Sequence, residues 1–325
     1  MAPGPGAWGR DTTRLSAVAG VIARSSPAGY NADHLARRLR GMMSEPDRDT
    51  PVSDRFKPRG SRTAAVRARP PSFSEFLDAV RAKDAVRCRQ MLDVDPTLAT
   101  SVGPDGLGPL TAAGYAGAAE IAALLKDRGA RPSIHEATIL DDRELVRRML
   151  LAHPPLVGSF SPDGWTPLHL AAHFGRGEIA RELLERHAPI DAVARNGIGN
   201  QPLEAAVAGG HVGLVRTLLA AGADPDHRSH GGLTALQAAA YSGDLSMVRL
   251  LVSAGADVDA AMEGGKTALD LATEQGRTEV VDWLSTPRSP RTGPRGPGSR
   301  RAPAGRRRAR SGTPEGSRHR TSTIK

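Results

Sequence analysis

Two kinds of side-chain pair in the second half of the chain have the types and spacing of chemical sites. His169 and His173 are four residues apart, so on a helix both imidazoles would share one face and could hold a metal ion. The segments Asp224–Asp226 and Asp257–Asp259 each carry two aspartates, which could act in acid–base chemistry or bind calcium. No calcium-loop spacing surrounds either aspartate pair. Whether the histidines bind a metal depends on the fold around them.

Two further fragments fail as chemical motifs. The segment Gly265-Lys266-Thr267 ends like a phosphate-binding loop, but the earlier glycine of that motif would be residue 260, which is Ala260. Cys88 is the only cysteine, which excludes an intramolecular disulfide, a cysteine zinc cluster and a redox pair; we expect it to be buried. We predict no catalytic residue, no cofactor site and a protein that is not an enzyme.

The elements that must position these residues follow from a short phrase that recurs four times. The four copies read Gly164-Trp165-Thr166-Pro167-Leu168-His169, Gly199-Asn200-Gln201-Pro202-Leu203-Glu204, Gly232-Leu233-Thr234-Ala235-Leu236-Gln237 and Gly265-Lys266-Thr267-Ala268-Leu269-Asp270. The leucines of the four copies are almost evenly spaced along the chain, and we expect all four in the core. A nearly fixed period of about 33 residues predicts a solenoid, in which each unit buries its apolar face against its neighbours.

Each copy predicts a pair of helices. A threonine such as Thr166 can cap a helix start, and Pro167 after it stands at the first helical position, where its missing N–H costs nothing. Gly175 and its counterparts would end this short helix in the left-handed conformation. A second apolar pattern, such as that of residues 214–219, then has the spacing of one helix face.

The residues Thr166 to Ala171 meet the Thr-Pro-Leu-His-x-Ala signature in full, and the chain resembles the ankyrin-repeat family. Segments 234–239 and 267–272 keep the cap, the leucine and the alanine of this signature. The resemblance implies an all-α solenoid of helix-turn-helix repeats joined by hairpin loops. It also implies that His169 makes local hydrogen bonds and that the aspartate pairs lie in turns, so we predict no metal site.

Three weaker units precede the four copies. They centre on Leu110, on Ile134 and on Leu77, which lies one period before Leu110. Ile134 follows Leu110 by much less than one period, so the hairpin before it must be lost or shortened. We predict about seven repeats over residues 73–286. The Pro- and Arg-rich segment 1–72 and the Arg-, Pro- and Gly-rich tail 287–325 are predicted to be disordered.

The formal net charge of +9 is distributed unevenly along the chain. Residues 1–72 hold 13 Lys and Arg against 6 Asp and Glu, and residues 287–325 hold 12 against 1. Of the 44 basic and 35 acidic residues in the whole chain, 19 and 28 remain for the repeat segment, a net charge of −9. The predicted solenoid is therefore acidic and both flanking segments are basic.

The basic tail offers one kind of partner. Arginines bind phosphate groups well, so the tail could bind nucleic acid or another polyanion. The alternatives are a merely solvated tail and a tail that folds back on the acidic solenoid. No aromatic residue is interleaved to stack on bases, which argues against sequence-specific RNA recognition. The candidate polyanion-binding residues are Arg300, Arg301, Arg306, Arg307, Arg308 and Arg310.

The repeat segment offers the preferred partner, another protein. The family resemblance implies a concave binding surface made from hairpin tips and the exposed side of each first helix. Aromatic and arginine side chains dominate interface energetics, so they are the first candidates; packing between repeats is the alternative for the aromatic ones. The candidates are Tyr115, Trp165, His173, Phe174, Arg195, Arg228 and Tyr241, with Asp163 at a hairpin tip.

No run of residues is long and apolar enough for a membrane span, so no membrane partner is expected. We predict a monomeric protein of the cytoplasm, with export as an effector as the alternative. Its function is predicted to be non-catalytic binding of a partner protein through the concave surface. The alternative is polyanion binding through the Arg-rich tails, with the solenoid as a scaffold.

Overall fold

The computed structural model describes residues 70–286. The predictions for residues 1–69 and 287–325, including the six candidate arginines of the tail, lie outside the described residues. Within the described part, 14 α-helices follow one another without a β-strand. In chain order they are α1 (Phe73–Arg81), α2 (Ala85–Val94), α3 (Pro109–Ala116), α4 (Ala119–Asp127), α5 (Ile134–Ile139), α6 (Arg143–Ala152), α7 (Pro167–His173), α8 (Gly177–Glu185), α9 (Pro202–Ala208), α10 (Val212–Ala220), α11 (Ala235–Ser242), α12 (Leu245–Ala254), α13 (Ala268–Glu274) and α14 (Thr278–Ser285).

The helices form seven consecutive pairs, each closed by the same backbone hydrogen bond. The N–H at the start of the second helix donates to the carbonyl of a buried alanine in the first, over 2.8–3.2 Å. These alanines are Ala79, Ala113, Ala137, Ala171, Ala206, Ala239 and Ala272. Because the bond recurs at the same place in each pair, it aligns all seven units residue by residue.

The predicted caps begin the first helices. The hydroxyls of Thr166, Thr234 and Thr267 each accept a backbone N–H three residues later, and the side chain at that later position bonds back to the threonine N–H. The side chain of Gln201 does not cap α9, but its backbone N–H donates to Glu204 Oε2 at 2.6 Å. Helix starts were thus predictable from short polar side chains next to an apolar run.

Adjacent pairs stack first helix on first helix and second helix on second helix. The predicted core leucines Leu168, Leu203 and Leu236 are at most 1% exposed. The prediction for Leu269 is wrong, because this side chain is only partly buried. It lies in the last helix pair of the described residues, where no later described pair covers it.

The first pair differs from the sequence prediction by one residue. Ala79 precedes Ala113 by 34 positions, so the residue that corresponds to Leu110 is Phe76, not Leu77. Phe76 is fully buried and Leu77 is only partly buried. Counting one fixed period back from Leu110 misses this shift.

The shortened connection predicted before Ile134 is present. Only six residues, 128–133, join α4 to α5, whereas the other connections between pairs have 13 to 16. The buried core divides at the same place, into one cluster from Phe76 to Ala130 and another from Ile134 to Val280. Across the gap, Gly114 lies so close to Ile139 that an added Cβ would come within 2.6 Å of Cγ2 of that side chain. None of the helices in residues 70–286 is long and apolar enough to cross a bilayer.

We expect Leu203→Ala to lower the free energy of unfolding by about 2–5 kcal/mol, because it leaves a cavity in the continuous part of the core. Leu269→Ala is the matched control and should cost clearly less, since Leu269 already contacts solvent. Urea denaturation of both variants measures the difference. Equal losses of unfolding free energy in the two variants would contradict the partial exposure of Leu269.

Left-handed turn residues give a second stability prediction. The glycine at the first turn of most pairs has a positive φ, as with 72° at Gly175, and His187 has a φ of 60° where α8 ends. A side chain costs about 1–2 kcal/mol in this conformation, and glycine costs about 0.5–1 kcal/mol in chain entropy. His187→Gly should therefore stabilise the protein by about 0.5–1 kcal/mol. In urea denaturation His187→Ala, which retains a Cβ, should show no such gain.

Candidate functional site

The hairpins between pairs are joined by a ladder of backbone hydrogen bonds. The N–H groups of Arg195, His230 and Glu263 each donate to a carbonyl of the preceding hairpin, all at 2.8 Å. The acceptors are the carbonyls of Gly164, Ile198 and Gly231. The hairpins thus hold one another in register independently of the helices.

This ladder is interrupted beside the shortened connection. The residue at the donor position of hairpin 161–165 is Pro162, which has no N–H. No hairpin comes from the short connection before α5, so Pro162 instead lies against hairpin 103–107, where an added Cβ on Gly106 would be 2.9 Å from Cβ of Pro162. An apolar contact between Pro162 and hairpin 103–107 therefore takes the place of the hydrogen bond to the missing hairpin.

In several pairs the residue after the signature leucine connects its pair to the segment that follows. His169 Nε2 donates to the Asn200 carbonyl at 3.0 Å, and the Gln237 amide donates to the Ala260 carbonyl at 2.7 Å. His135 occupies the same position in α5, and its Nε2 lies 3.1 Å from the Ser159 carbonyl. In α3 this position holds the shorter Thr111, whose hydroxyl donates to Glu136 Oε1 at 2.9 Å.

A cavity of about 300 Å³ lies where the hairpin is missing and Thr111 is short. Its walls come from hairpins 103–107 and 161–165, from α3 and from the start of α5. Apolar wall residues include Leu107, Leu110, Ile139 and Leu170. This volume lies at the lower end of the range found for small-molecule sites.

Polar groups line the same cavity. The Tyr115 hydroxyl donates to Asp163 Oδ2, and the Ser161 hydroxyl donates to Asp163 Oδ1 at 2.5 Å. Burial and the Asp163 carboxylate raise the pKa of Tyr115, so its hydroxyl keeps its proton. Burial lowers the pKa of His135 despite its hydrogen bond to the Ser159 carbonyl, which favours a neutral imidazole.

Four of the predicted partner-binding residues form one continuous group, which we call the aromatic row: Tyr115, Trp165, His173 and Phe174. Ring centroids lie 5.5 Å apart from Tyr115 to Phe174, 5.0 Å from Phe174 to His173 and 5.7 Å from His173 to Trp165. Tyr115 is 40% exposed, Phe174 and Trp165 are half-buried, and His173 is only 6% exposed. The row runs from α3 to α7, past α5.

The other three predicted residues are not part of this row. The Arg195 guanidinium stacks 3.8 Å above the Phe160 ring, next to the hairpin that carries Trp165. Arg228 donates twice to the Ala261 carbonyl, at 2.8 and 3.1 Å, and so links two later hairpins. Tyr241 is half-buried in α11 and, among the described residues, makes no ring contact with the row.

The residues first considered for chemistry serve the fold. Among residues 70–286, no group of three or more His, Cys, Asp or Glu side chains could hold a metal ion. Asp224 and Asp257 each accept a backbone N–H two residues later, at 3.0 and 3.1 Å, as turn residues do. Cys88 is buried as predicted, and burial raises its pKa to about 11.

Comparison with protein families decides the identity of the repeats. A model described as "Ankyrin repeats (3 copies)" matches residues 134–229 and 203–290. Residues 134–290 carry ankyrin repeats. The first two helix pairs precede the matched residues, so a total of seven ankyrin repeats stays a prediction.

Ankyrin-containing relatives match only a small part of their own length. Neurogenic locus notch homolog protein 1 of Danio rerio is 33% identical to this chain over 133 residues, and so are the proteins of that name from Mus musculus and Rattus norvegicus. The match covers 41% of this chain and 5% of each relative. The chain thus spans about a twentieth of the relatives' length.

Two features of the ankyrin stack were missed by sequence reasoning. Phe160, which carries the Arg195 guanidinium, lies outside the helical pattern, although its place just before a hairpin could have drawn attention to it. The cavity was also missed. The short spacing before Ile134 showed that a hairpin was reduced, but only the positions of Tyr115, Thr111 and Pro162 together show that space remains there.

The signature histidine predicts a pH effect on stability. Burial lowers the pKa of His169 from 6.5 to about 4 in the folded protein. Between these values the unfolded chain binds a proton that the folded chain does not, so stability falls as pH falls from about 6.5 towards 4. From pH 7 to pH 5 the loss due to His169 should be about 2 kcal/mol.

His169→Gln is the matched control, because Gln237 makes the equivalent bonds in α11: its Oε1 accepts the Thr234 N–H at 2.9 Å and its amide donates to the next hairpin. The stability difference between wild type and this variant, measured in urea at pH 7 and pH 5, isolates the His169 contribution. A difference that does not change with pH would contradict the buried, neutral histidine.

Proposed function

We propose that this protein is a non-catalytic binding module that recognises a partner protein through the aromatic row and the adjoining hairpins. Repeat arrays generally bind proteins on surfaces built from successive units. The observation that carries the proposal is the row itself. Three of its rings reach solvent within one run of ring contacts, although Tyr115 lies in α3 while Trp165 and Phe174 lie at the two ends of α7, two helix pairs further along the chain.

The row has the composition of an interface centre. Partly exposed Tyr, Phe and Trp side chains offer a large contact area at a low cost in side-chain entropy. The buried His173 contacts both Phe174 and Trp165, so it holds their rings in place. Arg195 and Asp163 flank the row with opposite charges, which would help to orient a partner.

A second candidate function rests on the sequence alone. The 12 basic residues against 1 acidic residue in segment 287–325 favour binding to nucleic acid or another polyanion. Such binding would weaken steeply with salt, because it releases counterions. Binding through the aromatic row would depend much less on salt.

Affinity capture from the native extract tests both functions. We expect the full chain to retain a protein that is insensitive to nuclease and to moderate salt. Once that protein is purified, Phe174→Ala and Trp165→Ala should each raise its Kd by about 30-fold, the loss typical of an interface hot spot. Calorimetric titration gives the Kd, and a thermal melt checks that each variant is folded.

Tyr241→Ala is the matched control. Tyr241 occupies in α11 the position that Tyr115 occupies in α3, two residues after the buried alanine, but it lies outside the row. Its removal should leave the Kd nearly unchanged. Loss of binding in Tyr241→Ala with none in Phe174→Ala would refute the row as the binding surface, and capture that disappears with nuclease would favour the polyanion function.

A further inference from the structure

We propose that the cavity between hairpins 103–107 and 161–165 is a binding pocket for a cationic group on an aliphatic stem, as in an arginine side chain of the partner protein. The cavity arises because this one connection lacks its hairpin. This inference rests on the proposed function. It states which cavity would hold the partner's main contact residue, and that this residue would be cationic.

The charges in the wall favour a cation. The carboxylates of Asp163 and Glu136 both line the cavity. Both accept hydrogen bonds only from neutral donors: Tyr115 and Ser161 for Asp163, and Thr111 and Ser133 for Glu136. Within residues 70–286, no Lys or Arg nitrogen comes within 4.0 Å of either carboxylate. Two negative charges therefore share a half-enclosed cavity without a countercharge from the described residues.

The nearest basic groups do not supply that charge. His135 lines the cavity, but burial lowers its pKa, so it is neutral near pH 7. Arg131 also lines the cavity, yet its side chain is exposed and forms no ion pair with the two carboxylates. A carboxylate in partly apolar surroundings gains more from a cation than one in water, because the local dielectric constant is lower.

The apolar wall fits the stem that would carry such a cation. Leu107, Leu110, Ile139 and Leu170 offer methyl groups to methylenes, and the Tyr115 ring offers a π face. The long side chain that crosses the equivalent space in α7 and α11, His169 and Gln237, is replaced by Thr111. An arginine side chain would take over the space with its own donors.

Arginine also suits two carboxylates better than lysine does, because of the number of its donors. The guanidinium has five N–H donors in one plane, so it can bond to two carboxylates at once, whereas an ammonium acts as a point charge. Each carboxylate retains acceptor capacity, because a carboxylate can accept about four hydrogen bonds.

The test is an NMR titration of the full-length, ¹⁵N-labelled chain with the blocked peptide Ala-Ala-Arg-Ala-Ala and with the same peptide containing citrulline, the neutral isostere of arginine. We expect the arginine peptide to shift the amide signals of residues 133–136, Ser161 and Asp163. The citrulline peptide should bind at least about tenfold more weakly, because it lacks the charge that strengthens hydrogen bonds to the carboxylates. Equal binding of the two peptides, or no shifts up to about 10 mM, would overturn the proposal.

Butylguanidinium and its neutral isostere butylurea distinguish the source of the cation. Tighter binding of the arginine peptide than of butylguanidinium assigns the pocket to a protein side chain. If butylguanidinium binds as tightly as the peptide or more tightly, the pocket is assigned to a free small cation. The proposal of an arginine side chain from a partner protein is then overturned. In both cases butylurea should not compete.

Variants separate this inference from the proposed function. Asp163→Asn combined with Glu136→Gln should weaken the arginine peptide about tenfold or more, while Asp259→Asn, a removal of one carboxylate charge in a distant turn, should not. A thermal melt of the double variant checks that a loss of peptide binding is not due to misfolding. If the partner's Kd responds to Phe174→Ala but not to the double variant, the binding module stands and the arginine pocket falls.

Discussion

The whole array depends on one backbone hydrogen bond, from the N–H at the start of each second helix to a buried alanine carbonyl in the first. The bond fixes the two helices of a pair at a tight turn, and the alanine leaves room for the next pair to approach. A larger side chain there would separate neighbouring pairs and weaken the contacts between them. Because each pair contacts mainly its neighbours, the array is a chain of similar interfaces whose strength depends on its weakest step.

The most irregular step lies between α4 and α5. Six residues replace a connection of 13 to 16, the hairpin ladder loses one rung, and the core divides into two clusters. The sequence compensates locally. Pro162 occupies the position where an N–H would have no acceptor, Gly114 lets α3 approach Ile139, and Arg176 donates to the Ile139 carbonyl at 2.7 and 3.1 Å. The same changes leave the cavity open and bring Tyr115 within reach of Phe174.

Sequence reasoning recovered the features that one repeat carries by itself. Thr166, Pro167, Leu168 and Gly175 have local physical roles, so their types and spacing were enough to place a helix start, a core residue and a turn. It failed where the outcome depends on neighbours. Leu269 has the pattern of a core residue but no later described pair to cover it, and Phe76 replaces Leu77 because the first unit is one position longer than the period assumed.

The candidate site combines features of single repeats with features that depend on neighbouring repeats. Its residue types were predictable, since aromatic and arginine side chains at non-core positions are the usual interface anchors. Their grouping was not, because Tyr115 and Phe174 are 59 positions apart and meet only across the shortened repeat. A regular array would have placed a hairpin as well as the helix pair α5–α6 between them. The irregular repeat is therefore what turns scattered aromatic residues into one surface, and it places the two unneutralised carboxylates of the cavity beside that surface.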